Sequence, residues 1–422
     1  MTIKIHRGTH QIGGCVTEYE HNGWHLFVDY GEDLPGSPKS GDLQVEGLTH
    51  GDISKSALLI THYHGDHIGR ITKLPKELPI FMGKVGRDIQ QELSDHLKSV
   101  DGVHQEMLDR LQTVLSFEPG HLFQWGNFKI MPVTIDHSAF DAYCFKIETD
   151  GVSAFHTGDF RTHGFRSKTL TNVLKKFIGK VDCVVCEATN IARPEAVSMS
   201  ERDLQLEYQN LFAKNEGNIV YVSSTNIDRL FGLYHAAIRA NRFFIVDEYQ
   251  KRIMDIVTER DPIWGKSELY CFEEKKLPIV LTRERGKFWM NNKLKWLLEE
   301  MGYVLIARSN PCFDEFIQQM PCKQQNYLSM WNGYVDKSKA AYNERLTRSL
   351  GENYLYKHTS GHCDMNSLRQ VFSLLHPKVI IPIHTESPET FAKLFGDEWT
   401  VVVPNDGDAI SISAYCQLKS KI

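Results

Sequence analysis

Residues 61–69 read Thr61-His62-Tyr63-His64-Gly65-Asp66-His67-Ile68-Gly69, with three imidazoles and a carboxylate inside six positions. The run just before them, Ala57-Leu-Leu-Ile-Thr, is apolar and short, as a buried strand should be. His62 and His64 continue that strand's period of two, so their rings point the same way. Gly65 then turns the chain and carries Asp66 and His67 towards a neighbouring position. Imidazole nitrogens and a carboxylate at a strand's end suit a zinc-class ion, and the two-part arrangement can serve two ions side by side. The bland alternative is a solvated His-rich loop. With 19 His in 422 residues, the pattern arises by chance in roughly two of a thousand such chains.

The rest of the composition narrows the class. At about 150 residues per domain the length implies about two to three domains. Hydrophobic residues at 41% and charged residues at 24% are ordinary for a globular protein. They exclude collagen-like, disordered and membrane-spanning chains. A net charge of −5 disfavours a protein that coats nucleic acid broadly. The N-terminal segment has no apolar signal region, and no apolar stretch is long enough for a membrane helix. Nine cysteines at scattered spacings suggest reduced thiols and a cytoplasmic location. Cys183 and Cys186 have redox-motif spacing. Their setting, Val181-Asp-Cys-Val-Val-Cys, nevertheless reads as a buried strand rather than a helix N-terminus.

Along the chain, residues 1–200 read mainly as short strands and turns. Leu26-Phe-Val-Asp-Tyr-Gly is an apolar strand ending in a carboxylate, and His21-Asn-Gly-Trp looks like a hairpin. Residues 85–116 carry helical periodicity through Ile89, Leu93 and Leu97. Strands are expected at 128–133, 142–147 and 153–156. From about residue 200, helices (201–214, 228–240, 249–258) alternate with strands (218–222, 243–247, 278–282, 303–307, 327–331), the pattern of a parallel α/β domain. A His/Gly-rich loop, a helix at 367–375 and a strand at 378–383 follow. The expected organisation is a first domain over 1–200, an inserted domain over 201–350 and a return to the first over 351–422.

Segment 61–69 resembles the H-x-H-x-D-H signature of the metallo-β-lactamase fold, an αββα sandwich. The resemblance continues at Asp29 in Phe-Val-Asp-Tyr-Gly, His137 in Thr-Ile-Asp-His-Ser and Asp159 in His-Thr-Gly-Asp-Phe. It implies two divalent metal ions, zinc first and manganese second. One would take His62, His64 and His137, the other Asp66, His67 and His384, with Asp159 bridging and Asp29 orienting ligands from behind. Three further segments resemble motifs A, B and C of the β-CASP nucleases: Val185-Cys-Glu-Ala-Thr-Asn with Glu187, Thr359-Ser-Gly-His-Cys with His362, and Ile381-Pro-Ile-His-Thr-Glu with His384. The inserted α/β domain is then the β-CASP domain. The pattern is nearest to the ribonuclease J branch, from which it departs at Cys363 and Thr385. That branch usually carries a further C-terminal domain, which the distance from His384 to residue 422 leads us not to expect here.

This resemblance implies a metal-dependent phosphodiester hydrolase, a ribonuclease using a water activated between two metals. Asp66, His362 and Glu187 take catalytic positions. His362 would give a proton to the leaving oxygen or stabilise the crowded phosphate, and Glu187 would hold its tautomer. The alternatives are a DNA nuclease of the same superfamily, a small-molecule ester hydrolase and an inactive partner subunit. A partner subunit would be expected to lose ligands, and a redox di-iron site would place Glu where His64 stands. RNA is the expected partner ahead of DNA, no membrane is expected, and a homo-oligomer is left open. Ser223, Ser224, Thr225, Arg229 and Ser360 are candidate substrate contacts. Arg161, Arg193, Lys287 and Arg308 are further phosphate candidates, with Trp289 and Trp331 as stacking surfaces.

Overall fold

The structure is a computed structural model and describes residues 1–35, 37, 41–193, 198–261 and 263–418. The chain divides into two compact units, Met1–Ser198 with Gly361–Ile422, and Met199–Ser360.

The first unit is built on two sheets. One has seven strands in the order Ala409–Ser411, Thr2–Arg7, Val16–His21, Trp24–Val28, Ser56–Leu59, Ile80–Met82 and Leu115–Ser116. The other has six: Val379–Ile383, Cys183–Glu187, Val152–His156, Ala142–Thr149, Phe128–Ile135 and Phe123–Trp125. They share a core, in which Ile3, Ile5, Tyr19, Leu26 and Leu59 of the first sheet meet Phe128, Tyr143, Phe145, Val185 and Ile381 of the second.

Strand alternation decides what lies on the second sheet's far side. Tyr143, Phe145 and Ile147 enter the core between the sheets. Ala142 and Cys144 instead face a layer holding Leu368, Phe372 and Leu375 of helix Met365–Leu375, and Phe391 and Phe395 of helix Pro388–Phe395. The same alternation sends Cys183 to one layer and Cys186 to the other. Both are free and buried, so the pair is packing rather than a redox couple.

The helical periodicity over 85–116 resolves into two helices, Lys84–Leu97 and Gly102–Leu111, followed by the strand Leu115–Ser116. The break has a local cause. Asp101 leaves helical geometry, and its carboxylate accepts from the backbone N–H of His104, a new N-cap.

The second unit holds a six-stranded sheet in the order Ile279–Leu281, Phe243–Asp247, Tyr303–Ala307, Gly217–Tyr221, Gln324–Leu328 and Tyr354–Tyr356. Every pair in it is parallel. Its central strands Gly217–Tyr221 and Tyr303–Ala307 are buried throughout, as strands covered on both faces must be. Its helices start on side-chain caps: Ser200, Asn226, Asp247, Asn291, Asn310 and Asn343 each accept from a first-turn N–H. The strand expected at 327–331 lies at Gln324–Leu328 instead. Its polar first half gives no hydrophobic signal, and beyond Ser329 the chain enters the turn Asn332–Tyr334. The unit's two ends are tied together: the hydroxyl of Thr359 donates to the carbonyl of Met199, 160 positions away. Among the described residues, no helix is long and apolar enough to cross a membrane.

Candidate metal centre

Two adjacent parallel strands of the first unit, Trp24–Val28 and Ser56–Leu59, end side by side. Asp29 closes the first with a left-handed φ of 62°. Its carboxylate accepts from the Thr61 N–H and hydroxyl, both at 2.8 Å, and lies 2.7 Å from His67 Nδ1. With Nδ1–H donating to Asp29, His67 Nε2 faces Asp159 Oδ2 at 3.1 Å. The turn at 65–67 is clamped by backbone bonds from Gly14, Tyr30 and Glu32 to the carbonyls of Asp66, His67 and Gly65. Gly31 lies so close to this turn that an added Cβ would stand 1.7 Å from the Asp66 carbonyl oxygen.

Three imidazoles converge beside it. His62 Nε2 is 3.1 Å from His64 Nδ1, and His137 Nε2 is 3.2 Å from the same atom. His137 Nδ1 donates to the Gly361 carbonyl at 2.7 Å, which fixes Nε2 as the free nitrogen. Burial is the main cause that lowers all three pKa values, and neighbouring histidines add to it. His64 falls to about 4, and His62 and His137 also fall well below the usual range. Three neutral nitrogens aimed at one another, with donor atoms within 4.8 Å, form a cluster that a cation fits and a proton does not.

A second group adjoins the first. His384 follows the strand Val379–Ile383, and its Nε2 lies 3.2 Å from Asp66 Oδ2 and 3.7 Å from Asp159 Oδ2. Its Nδ1 lies 2.8 Å from the Thr189 hydroxyl, which in turn donates to the His384 carbonyl. Asp159 is buried and groups with His62 and His67 on one side and with Glu187, His362 and His384 on the other. Burial alone would raise the Asp66 and Asp159 carboxyls. His67 and His384 outweigh it, and both groups sit well below the usual carboxylate range. Burial would likewise depress His67, but Asp159, Asp66 and Asp29 hold it well above its ordinary value. Buried carboxylates of this density call for cations, and the donor set of imidazole nitrogen and carboxylate oxygen fits divalent ions.

His362 Nδ1 lies 3.2 Å from Glu187 and 3.7 Å from Asp159. Burial opposes its charge, but Glu187 and then Asp159 raise its pKa to about 9. Glu187 ends the strand Cys183–Glu187 and also accepts from the N–H groups of Phe160, Thr189 and Cys363. Asp29, His62, His64, Asp66, His67, His137, Asp159, Glu187, His362 and His384 therefore gather in the first unit.

The candidate substrate residues belong to the second unit. Ser223 is exposed, with its hydroxyl 3.0 Å from that of Thr225. Ser224 is buried and accepts from Gln250, and Ser360 is half-buried. Arg229 requires a correction: it is buried, and Nε and Nη2 each meet Glu201 at 2.9 Å, so its guanidinium is committed inside the unit. Arg161 of the first unit is likewise buried against Asp136, and Arg308 pairs with Asp247 over the Tyr249 ring. Sequence reasoning missed the roles of Thr61, Thr189 and the Gly361 carbonyl. All three lie inside the motifs quoted above, but their partners depend on tertiary contacts.

Comparisons with known proteins place the chain beside others. A family profile described as a Zn-dependent metallo-hydrolase RNA specificity domain (RMMBL) matches residues 352–404. Ribonuclease J of Sinorhizobium meliloti is 23% identical over 385 residues, covering 87% of this chain and 64% of that protein. Ribonuclease J of Mycoplasma genitalium is 24% identical, covering 90% and 67%. That of Helicobacter pylori is 22% identical, covering 96% and 60%. The chain thus spans 60% to 67% of the length of these relatives. A crystal structure of a protein of unknown function from Enterococcus faecalis matches in fold with a TM-score of 0.73 at 19% identity, covering 97% of this chain and 99% of that one.

The fold is that of the metallo-β-lactamase/β-CASP hydrolases, with a donor cluster suited to divalent metal. In sequence, the chain is similar to the ribonucleases J named above.

Proposed function

We propose that this protein is a metal-dependent phosphodiesterase that hydrolyses RNA and holds two divalent ions, zinc ahead of manganese. The observation that carries the reading is a pair of adjoining donor sets, His62, His64 and His137 in one and Asp66, His67 and His384 in the other, with Asp159 grouping with His62 of the first and His67 of the second. Bound divalent ions neutralise phosphate charge and make water acidic enough to attack at neutral pH. The chain's own groups do the rest. Asp29, Thr189 and the Gly361 carbonyl each take the Nδ1 proton of a histidine, so that Nε2 of His67, His384 and His137 is the nitrogen offered. Glu187 keeps the proton on Nδ1 of His362 and favours the imidazolium. Nε2–H of His362 is then the donor for the leaving oxygen. The RNA specificity profile and the ribonuclease J relatives support RNA as the polymer. Nine free cysteines support a reducing, cytoplasmic setting.

The test uses end-labelled RNA and DNA of matched sequence, with 5′-phosphate or 5′-hydroxyl ends, incubated with the purified protein and several divalent metals. The product ladders report polymer, polarity and mode together. Absence of cleavage of either polymer would overturn the proposal. His362→Ala should keep its metal by elemental analysis and lose most turnover, whereas Asp159→Ala should lose both.

A further inference from the structure

The second unit carries a cationic, aromatic strip that the proposed chemistry does not use. Between residues 283 and 296 there are five cations, Arg283, Arg285, Lys287, Lys293 and Lys295, against one carboxylate, Glu284, in a chain whose net charge is −5. The segment begins as a two-residue hairpin in which Arg283 pairs with Phe288 and Glu284 with Lys287. Arg285 and Gly286 form its turn with φ of 52° and 82°. That turn favours Gly and Asn at both positions, so an arginine at its tip works against local preference. Phe288 is buried against Phe313 and Phe316 and anchors the hairpin. Arg283 lies 5.4 Å over the Phe288 ring, and Lys287 makes an exposed pair with Glu315 at 3.0 Å, a contact too weak to withdraw it from other anions.

Two tryptophans stand in this strip with most of their surface in solvent, Trp289 at 61% and Trp296 at 56% exposed. Trp289 is not loose, since its indole N–H donates to the Glu284 carbonyl at 3.3 Å. The ring is therefore held by its edge while its surface stays open. Trp296 lies on helix Asn292–Met301, one turn from Lys293. A held aromatic face in a cation-rich segment supplies the two components of a sequence-tolerant single-strand site: bases stack on rings while phosphates meet Lys and Arg.

We infer that the strip Arg283–Trp296 is an accessory binding surface for single-stranded RNA, with Trp289 as the principal stacking platform. It lies outside the residues matched by the RNA specificity profile, and it rests on the proposed reading of RNA as substrate.

The test measures binding of a nuclease-resistant, fluorescein-labelled phosphorothioate oligouridine to the full, metal-loaded protein by anisotropy over a range of KCl. Degradation of unmodified RNA and hydrolysis of a small phosphodiester are followed in parallel. Trp289→Ala should weaken oligouridine binding roughly tenfold, and Trp289→Phe should recover most of it. Arg285→Gln/Lys287→Gln should lower the slope of log affinity against log salt by about 1.4, two single-strand phosphate contacts. Small-phosphodiester turnover should stay at the wild-type rate in each variant. Wild-type affinity in Trp289→Ala and a wild-type slope in Arg285→Gln/Lys287→Gln, while the wild type still degrades RNA, would overturn this inference and leave the proposed function standing. Equal loss with Trp289→Phe and Trp289→Ala would overturn the stacking role. A wild type that neither binds oligouridine nor degrades RNA would overturn both readings. Unchanged RNA binding with lost self-association in sedimentation would make the strip an interface between copies and overturn the inference.

Discussion

Asp29→Asn is the sharpest perturbation of the candidate metal centre, because it changes charge and donor count with almost no change in shape. The Asp29 carboxylate now accepts three hydrogen bonds: from the Thr61 N–H, the Thr61 hydroxyl and His67 Nδ1. An amide offers one oxygen and one NH2 group. If the oxygen keeps the Thr61 N–H, the NH2 faces the hydroxyl and Nδ1–H, both of them donors. One buried donor is then left unpaired, at about 1–3 kcal/mol. The imidazole can relieve this by moving its proton to Nε2, the nitrogen facing Asp159 and the donor cluster, and so withdraws a ligand. Loss of such an orienting carboxylate typically weakens metal binding about 10–100-fold, or about 1.4–2.8 kcal/mol, in line with the unpaired-donor cost. Competition with a chromophoric chelator gives the affinity directly, and a melting curve of the metal-free protein separates it from loss of fold. Metal affinity within twofold of wild type, in a variant that melts normally, would refute the argument that Asp29 acts through the His67 tautomer.

Other consequences are equally open to measurement. His362 has a folded pKa near 9 against an ordinary value of 6.5. A raised pKa stabilises the fold fully below the unfolded value and loses that contribution as pH rises through the folded one. Melting temperatures of the metal-free protein should therefore fall less between pH 6.5 and 9 in His362→Gln than in the wild type; parallel curves would contradict it. Gly31→Ala drives a Cβ onto the Asp66 carbonyl, so metal stoichiometry by elemental analysis should drop even where the fold survives by circular dichroism. Phe372 is fully buried among Phe391, Phe395 and Trp399. Phe372→Ala should cost about 3–5 kcal/mol in denaturant unfolding, and a loss below 1 kcal/mol would show that this layer collapses around the gap.

The first four members of the donor cluster were readable from sequence because their spacing is local. His62, His64, Asp66 and His67 sit on one strand end and one turn, where period and turn chemistry act within six residues. The parallel sheet of the second unit was readable for a similar reason, since Tyr303–Ala307 and all but Asn218 of the run 218–222 read as buried strands. Gln324–Leu328 was misplaced because its first three residues are polar and only pairing with Gly217–Tyr221 makes them a strand. Arg229 looked like a phosphate contact because nothing near it in sequence announces Glu201, 28 positions away. Thr189 and Gly361 lie within recognisable motifs, but their partners are remote: the first meets His384 195 positions on and the second meets His137 224 positions back. Identity and order survive in sequence; the choice of partner is made by packing.

The bond from Thr359 to Met199 bears on how such a centre can assemble at all. The donors come from both sides of the second unit, from His62 to His384, and a disordered connection of that length would make the two segments hard to bring together. Closing a loop across 160 positions costs roughly 4–5 kcal/mol in chain entropy. The second unit is one unbroken stretch of chain, built from neighbouring strands and helices, so it can acquire structure during synthesis as soon as it clears the ribosome. Once its ends are fastened, the two segments of the first unit are separated by a short bridge rather than a long tether. Until residue 384 has emerged, the nascent chain lacks a complete donor set. A centre gathered in this order closes only after every residue of the second unit has been made.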